Sequence, residues 1–404
     1  MKRSIRSRII VLFLISVGMM GASEWRHRIV ELPDQVGQET ASLIEAASIG
    51  QMDGPDHQIL AQISGVTADP DHERIFIVDY RVPILRMYDF SGQFIKNIGR
   101  EGNGPGEYRG PIGVAIHPRD GTIFLRTSTR QIIIYSPEGE YREYRQIPYT
   151  GVIPGDLFIS HDGIPYTQQN LRDVSTGERT RTFMGIGPEG TAVDTILAPI
   201  FENESPRLTG DGTSTFLPFG VFGIWTISPS GARISGVPHT YTFFIDAADG
   251  QRITTGRESS LVEVDPREAD WNRKMIVQYF RRWEPSWRWR GPSIPKTKPA
   301  YNGFFADLSD RIWVQRPGPG ILIEDGIEDP ESFDEARLNR RWRDSALLDV
   351  FTIDGEFLWE VEIPEGCDRM RIWWAKGEQV LAEVSDEDGV PMVKRFRLQP
   401  PSRN

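Results

Sequence analysis

Short apolar runs recur along the chain, each bounded by turn signals. Arg74-Ile75-Phe76-Ile77-Val78, Gln131-Ile132-Ile133-Ile134-Tyr135 and Phe357-Leu358-Trp359-Glu360-Val361 are rich in β-branched and aromatic residues, which favour strands. The turns fall into two classes. One occurs at Asp71-His72, Asp120-Gly121, Asp162-Gly163, Ser230-Gly231, Ser309-Asp310 and Lys376-Gly377; the other occurs at Ser91-Gly92, Glu138-Gly139, Glu189-Gly190, Asp249-Gly250 and Asp354-Gly355. Most end in glycine, which supplies the positive φ of a tight hairpin. Alternation of the two classes predicts units of four strands, A to D, with the first class joining A to B and the second joining C to D.

A divergent repeat underlies the pattern. Ser48-Ile49-Gly50, Gly54-Pro55 and Ile63-Ser64-Gly65-Val66-Thr67-Ala68-Asp69-Pro70 align with Asn97-Ile98-Gly99, Gly104-Pro105 and Pro111-Ile112-Gly113-Val114-Ala115-Ile116-His117-Pro118. The offset of about 48 residues matches the period of roughly 40–50 of a propeller blade. Six A–B turns stand against five C–D turns, because the chain ends after strand C of the last unit, near Met392 to Leu398. The unpaired stretch Ala41 to Ile49 ends like a D strand and is expected to complete that unit, removing the two edges an open ring would expose.

The segment Ile98-Gly99-Arg100-Glu101-Gly102-Asn103-Gly104-Pro105-Gly106-Glu107-Tyr108 and the hairpin Tyr88-Asp89-Phe90-Ser91-Gly92-Gln93-Phe94, echoed from Leu348 to Phe357, resemble NHL-type six-bladed β-propellers, in particular exported bacterial ones. The resemblance implies an all-β fold, a six-bladed β-propeller; the turn count adds closure by the N-terminal strand, and the turn spacings add two helical loop insertions on one face. It implies no activity, since propellers host enzymes, receptors and scaffolds. Related lyases and sugar lactonases hold a metal over the channel on ligands from several blades, and no residues here match that set.

Two spacings are abnormal. About 59 residues separate Gly250 from Ser309, against about 24 between Gly139 and Gly163, and about 45 separate Asp310 from Gly355, against about 18 between Gly121 and Gly139. The excesses fall in a D–A and a B–C connection, which leave a blade on the same face. The insertions are placed at about 262–297 and 316–345. In the first, Asp265 caps a helix, Pro266 opens it and Glu268 stands at capping-box spacing; Trp271, Met275, Tyr279 and Trp283, with Ile276 and Phe280, form an apolar stripe. Asp329-Pro330 is expected to start a second helix, with Phe333, Ala336 and Leu338 on its apolar side. After the first helix, Arg281-Arg282-Trp283-Glu284-Pro285-Ser286-Trp287-Arg288-Trp289-Arg290 interleaves rings with guanidinium groups. Arg282, Trp283, Trp287, Arg288, Trp289 and Arg290 are the candidate ligand-binding residues, suited to stacking sugars or gripping carboxylates and phosphates; the competing reading has the rings packed and the arginines paired with the abundant acids.

Composition narrows the picture. With 39 Gly and 29 Pro in 404 residues, long helices should be few. The formal net charge of −11 disfavours a nucleic-acid partner. Basic Lys2, Arg3, Arg6 and Arg8 followed by apolar Ile9 to Met20 and small Gly21-Ala22-Ser23 read as an export signal over residues 1–23. An uncleaved anchor is the alternative; no later run reaches membrane length. The remaining division is an extension over 24–40 and the propeller over 41–400, its closing strand at 41–50, as a periplasmic or secreted monomer. The single cysteine, Cys367, excludes an intramolecular disulfide and paired-cysteine zinc sites.

Catalytic motifs are lacking. The loop from Gly99 to Glu107 lacks the Gly-Lys-Ser/Thr ending and following helix of a phosphate cradle. The six histidines show no paired-ligand spacing, and no Gly-x-Ser-x-Gly elbow occurs. His117 and His161 occupy equivalent places before A–B turns, which repeat equivalence explains. The expectation is a binding or scaffolding propeller for a protein, peptide or carbohydrate, with no cofactor required. The alternative is a metal-dependent lyase or hydrolase with a divalent ion at the channel mouth.

Overall fold

The computed structural model describes residues 27–29, 40–148, 157–172, 179–322, 342–367, 370–386 and 389–401. Six four-stranded units follow one another, each built A to D from the innermost strand outward. Their innermost strands are Ile63–Asp69, Pro111–Ile116, Leu157–Ile159, Ile224–Ile227, Gly303–Ala306 and Arg371–Lys376. All eleven expected turns fall where the two-class reading puts them.

The sixth unit closes as expected. Thr40–Ile49 pairs antiparallel with Pro391–Gln399, from Ser42 opposite Gln399 to Ile49 opposite Val393. The N-terminal part reaches further along the rim than the sequence suggested. Thr40–Ser42 also pairs in parallel with Glu360–Glu362 of blade 5, and His27–Ile29 pairs in parallel with Arg252–Thr254 of blade 4.

Both faces of each central strand are buried, which explains the continuous apolar runs. In Arg74–Asp79, Phe76 and Val78 pack toward blade 2 with Val114, Ile123 and Leu125, while Ile75 and Ile77 pack toward blade 6 with Trp374, Leu381 and Val393. Several hairpins share a short polar side chain just before the turn. Asp89 Oδ1 accepts from Ser91 N and Gln93 N, both at 2.9 Å; Asp307 Oδ1 accepts from Ser309 N and Arg311 N at 2.8 and 2.9 Å. Such side chains mimic the turn's own main-chain bond, and Gly92 supplies the required φ of 88°.

The first insertion carries the expected helix, Pro266–Arg281, capped by Asp265, whose side chain accepts from Arg267 N at 2.8 Å. Glu268 does not serve the cap. It is buried and pairs with buried Lys298 at 3.2 Å, and Lys298 also pairs with Asp344. The described part of the second insertion is extended: Arg311–Leu322 and Trp342–Thr352 form a ribbon paired out to Leu322 opposite Trp342. Alternation along this ribbon continues the blade, so 316–322 and 342–345 are strand rather than helix. The helix expected at Asp329-Pro330 lies outside the described residues.

Candidate functional site

Each sheet ends at strand A, so six strand edges with their free main-chain groups surround the central axis. They enclose a cavity of about 410 Å³ lined by every innermost strand, within the usual size range of small-ligand sites. Its wall is mostly apolar. Phe304, Phe305, Leu157, Phe158, Ile372 and Trp373 are each only partly buried there. Ser64, Thr67, Gln168, Thr226, Gln315 and Arg371 supply polar groups. The Arg371 guanidinium lies 3.7 Å from the centre of the Trp373 ring, and the Trp373 indole donates to Glu383 Oε2 at 2.9 Å. Burial pushes the Glu383 carboxyl above its ordinary range, against the opposing effect of that hydrogen bond and of Arg371.

Two further wall residues, Trp225 and Trp374, are 8% and 4% exposed, and their indole N–H groups have no hydrogen-bond partner among the described residues. Both rings pack into cores between blades, Trp225 with Phe183 and Trp374 with Leu381 and Val393.

At one end of the ring, A–B turns of blades 3 to 6 are joined to one another. His161 Nε2 contacts Asp310 Oδ2 at 3.0 Å, Ser230 N donates to Asp310 Oδ1 at 3.1 Å, and Leu308 N donates to Ala375 O at 3.0 Å. Pro229 and Leu308 line the cavity at this end. His117 is paired separately, with Asp120 at 3.0 Å. No carboxylate or imidazole lines the cavity among the described residues, and none of them form a group of three or more potential metal ligands. Cys367 is buried.

The candidate residues after the helix do not line this cavity. Trp287 is fully buried, stacked on Phe280 at 4.4 Å, and its indole donates to Thr209 O at 3.0 Å. It anchors the helix to the hairpin of Leu208–Gly210 and Thr213–Thr215, part of the connection from blade 3 to blade 4. Trp289 is half-buried beneath the Arg273 guanidinium at 4.9 Å, and its indole donates to Pro292 O at 2.9 Å. Arg290 pairs with Glu284. Arg282 and Arg288 are exposed, as is Trp283 at 70%. The structure thus brings Trp287 and Trp289 together and leaves Arg282, Trp283 and Arg288 at the surface.

The glycine-rich loop carries its own anion. Glu107 Oε2 accepts from Gly104 N at 2.8 Å, and Glu107 pairs with Arg100 at 2.6 Å. These bonds, that to Gly104 N first, hold the Glu107 carboxyl below its ordinary range. Tyr108 locks the loop between blades by donating to Ile98 O and accepting from Leu85 N, both at 2.8 Å.

Sequence reasoning missed Trp225, Arg371, Trp373 and Trp374. Their signal was position: each lies on the strand preceding an A–B turn, and that strand borders the axis.

The architecture agrees with comparison to known proteins. The DUF5128 family model, described as a 6-bladed beta-propeller, matches residues 25–170. The chain is a six-bladed β-propeller. Solved structures similar to this propeller include a presumed exported protein of Bacteroides fragilis, at 10% identity, 92% coverage of this chain and 99% of that one, with a TM-score of 0.47. A DUF4221 member from Bacteroides vulgatus aligns at 9% identity over 90% and 99% of the two chains, with a TM-score of 0.47. Virginiamycin B lyase from Staphylococcus aureus aligns at 10% identity over 83% and 94%, with a TM-score of 0.40. A search of curated proteins gave no match. Among the described residues, no helix is long and apolar enough to cross a membrane.

Proposed function

We propose that this propeller is an exported binding module that takes a small ligand into its central cavity, the ligand having an aromatic or aliphatic body and at least one hydrogen-bond acceptor. The observation that carries this reading is the axial cavity itself, walled largely by partly buried aromatic and aliphatic side chains with the Arg371 guanidinium beside them. An apolar body would cover the partly exposed rings, and Arg371 favours an anionic group on the ligand. The NHL-type likeness from Ile98 to Tyr108 and the basic and apolar N-terminal residues support export to the periplasm or beyond. Arg282, Trp283 and Arg288 offer a separate exposed surface for a protein, peptide or carbohydrate partner, while Trp287, Trp289 and Arg290 brace it.

Anilinonaphthalene sulfonate, an aromatic anion, is a suitable first probe. The folded chain should bind it saturably, with a rise in dye fluorescence. Thr226→Trp, which fills the cavity, should abolish the signal without lowering the thermal midpoint, and Arg371→Glu should weaken it about tenfold or more, the effect of losing a charge-assisted bond. Binding that persists unchanged in Thr226→Trp would place the dye elsewhere and overturn the cavity assignment.

A further inference from the structure

Polar and apolar residues of the cavity wall are sorted along the axis. Each innermost strand runs from a D–A connection toward an A–B turn, so its first residue marks one end of the cavity and its last marks the other. Arg371 opens its strand, Arg371–Lys376. Gln315 pairs with Gly303, the first residue of Gly303–Ala306, and Gln168 lies one position beyond the Leu157–Thr167 pair that opens Leu157–Ile159. These three polar side chains therefore belong to the end bordered by the D–A connections, the helical insertion among them. The opposite end is apolar: Ile116, Ile159 and Ile227 are the last residues of their strands, and Pro229 and Leu308 lie just beyond.

Charge is distributed as unevenly. Arg371 is the one charged side chain among the described residues that line the cavity, in a chain whose net charge is −11. It is exposed, and stacking on Trp373 sets the plane of its guanidinium while leaving the edge of that plane to other partners. Glu383 stands opposite Arg371 in the register of the neighbouring strand, yet it accepts from the Trp373 indole and forms no ion pair with Arg371. We propose that the ligand of this cavity is a small monocarboxylate, held with its carboxylate on Arg371 at the D–A end and its apolar body directed toward the A–B turns. This inference rests on the cavity reading above and adds the ligand's charge and orientation. A planar guanidinium meets a carboxylate with two parallel N–H···O bonds, and the Gln315 amide in the adjacent blade is a further donor at that end. One positive charge balances one negative charge. A phosphate monoester would bring roughly two, and the surplus would be desolvated without a partner among rings and aliphatic groups. The negative field of the rest of the chain is screened beyond about 8 Å at physiological salt, so the contact with Arg371 decides.

Naphthoate, its neutral amide and naphthyl phosphate share one apolar body and differ in charge. Titrations of the native chain followed by tryptophan fluorescence should show naphthoate binding about tenfold or more tightly than either of the others. Arg371→Met keeps a side chain able to cover Trp373; it should erase the preference for the acid and leave the amide's affinity unchanged. Gln315→Glu and Ala306→Glu place the same charge at the two ends of one strand pair. The first should weaken naphthoate more than the amide, and the second should weaken both alike. The reverse pattern overturns the orientation. Equal affinity for acid and amide, tighter binding of the phosphate, or a preference that survives Arg371→Met overturns the monocarboxylate, while the cavity reading stands as long as Thr226→Trp still abolishes binding. Failure of all three compounds to bind saturably overturns the cavity reading, and this inference with it.

Discussion

At the scale of residues, buried charge holds the insertion-bearing side together. Asp349 is fully buried and accepts from Arg316 at 2.9 Å and from Tyr241, while Arg257 lies 3.3 Å away and both arginines reach Glu360. Burial raises the Asp349 carboxyl's pKa more than the two guanidiniums lower it. Asp349→Ala would leave two arginines sharing one acid, and removing one partner of a buried network costs about 3–5 kcal/mol; denaturant unfolding should show a loss of that size. Asp246 behaves differently. Burial raises its pKa, but hydrogen bonds and charge from Arg252 and Arg233 outweigh that effect and hold it below the ordinary carboxylate range. Its contribution, about 2 kcal/mol for a charge-assisted contact, is therefore present above the unfolded-state value and lost as pH falls through the lower folded-state value. The gap in thermal midpoint between native chain and Asp246→Asn should be full at neutral pH and close in acid. A gap independent of pH would mean that the aspartate acts through packing rather than charge.

At the scale of elements, legibility followed chemistry that is local in sequence. Turns such as Ser91-Gly92 and Asp354-Gly355 could be read because their geometry is set by two or three neighbouring residues, and counting them was enough to expose the missing D strand. The Asp265 cap was legible for the same reason. Glu268 was not: the capping-box spacing is local, whereas its real partner, Lys298, stands 30 positions away and is brought near only by the return of the insertion. The ribbon of Arg311–Leu322 and Trp342–Thr352 was masked by Pro317 and Pro319 and by the strong helix signal at Asp329-Pro330. The candidate site divides along the same line. The alternation of Trp and Arg after the helix drew attention because it is compact in sequence, yet Trp287 spends its ring on Phe280. The cavity wall is assembled from single strands spread around the whole chain, so no window of sequence contains it, although the turn register already identified those strands.

At the scale of the whole molecule, the ring is closed by hydrogen bonds between residues more than three hundred positions apart. Ala41 and Leu43 are buried in the core formed between blades 5 and 6, beside Val361, Phe396 and Leu398. Without Thr40–Ile49, strand Pro391–Gln399 would face solvent along one edge, and the core would lose Ala41, Leu43 and Ile49 together. Burying side chains of this kind is worth about 1.5–3 kcal/mol for each large one, which is comparable to a sizeable share of the roughly 5–15 kcal/mol that keeps a domain folded. A chain beginning after Ile49 should therefore lose the cooperative transition of the native chain, and blade 6 should exchange its amide hydrogens first, because blades 1 to 5 keep all four of their own strands. Supplying residues 40–49 as a separate peptide should restore protection to Pro391–Gln399, since the pairing needs an antiparallel neighbour and not a covalent link. Equal exchange in all six blades of the shortened chain would show instead that the ring unfolds as one body, with closure acting as a global lock rather than as the last strand of one sheet.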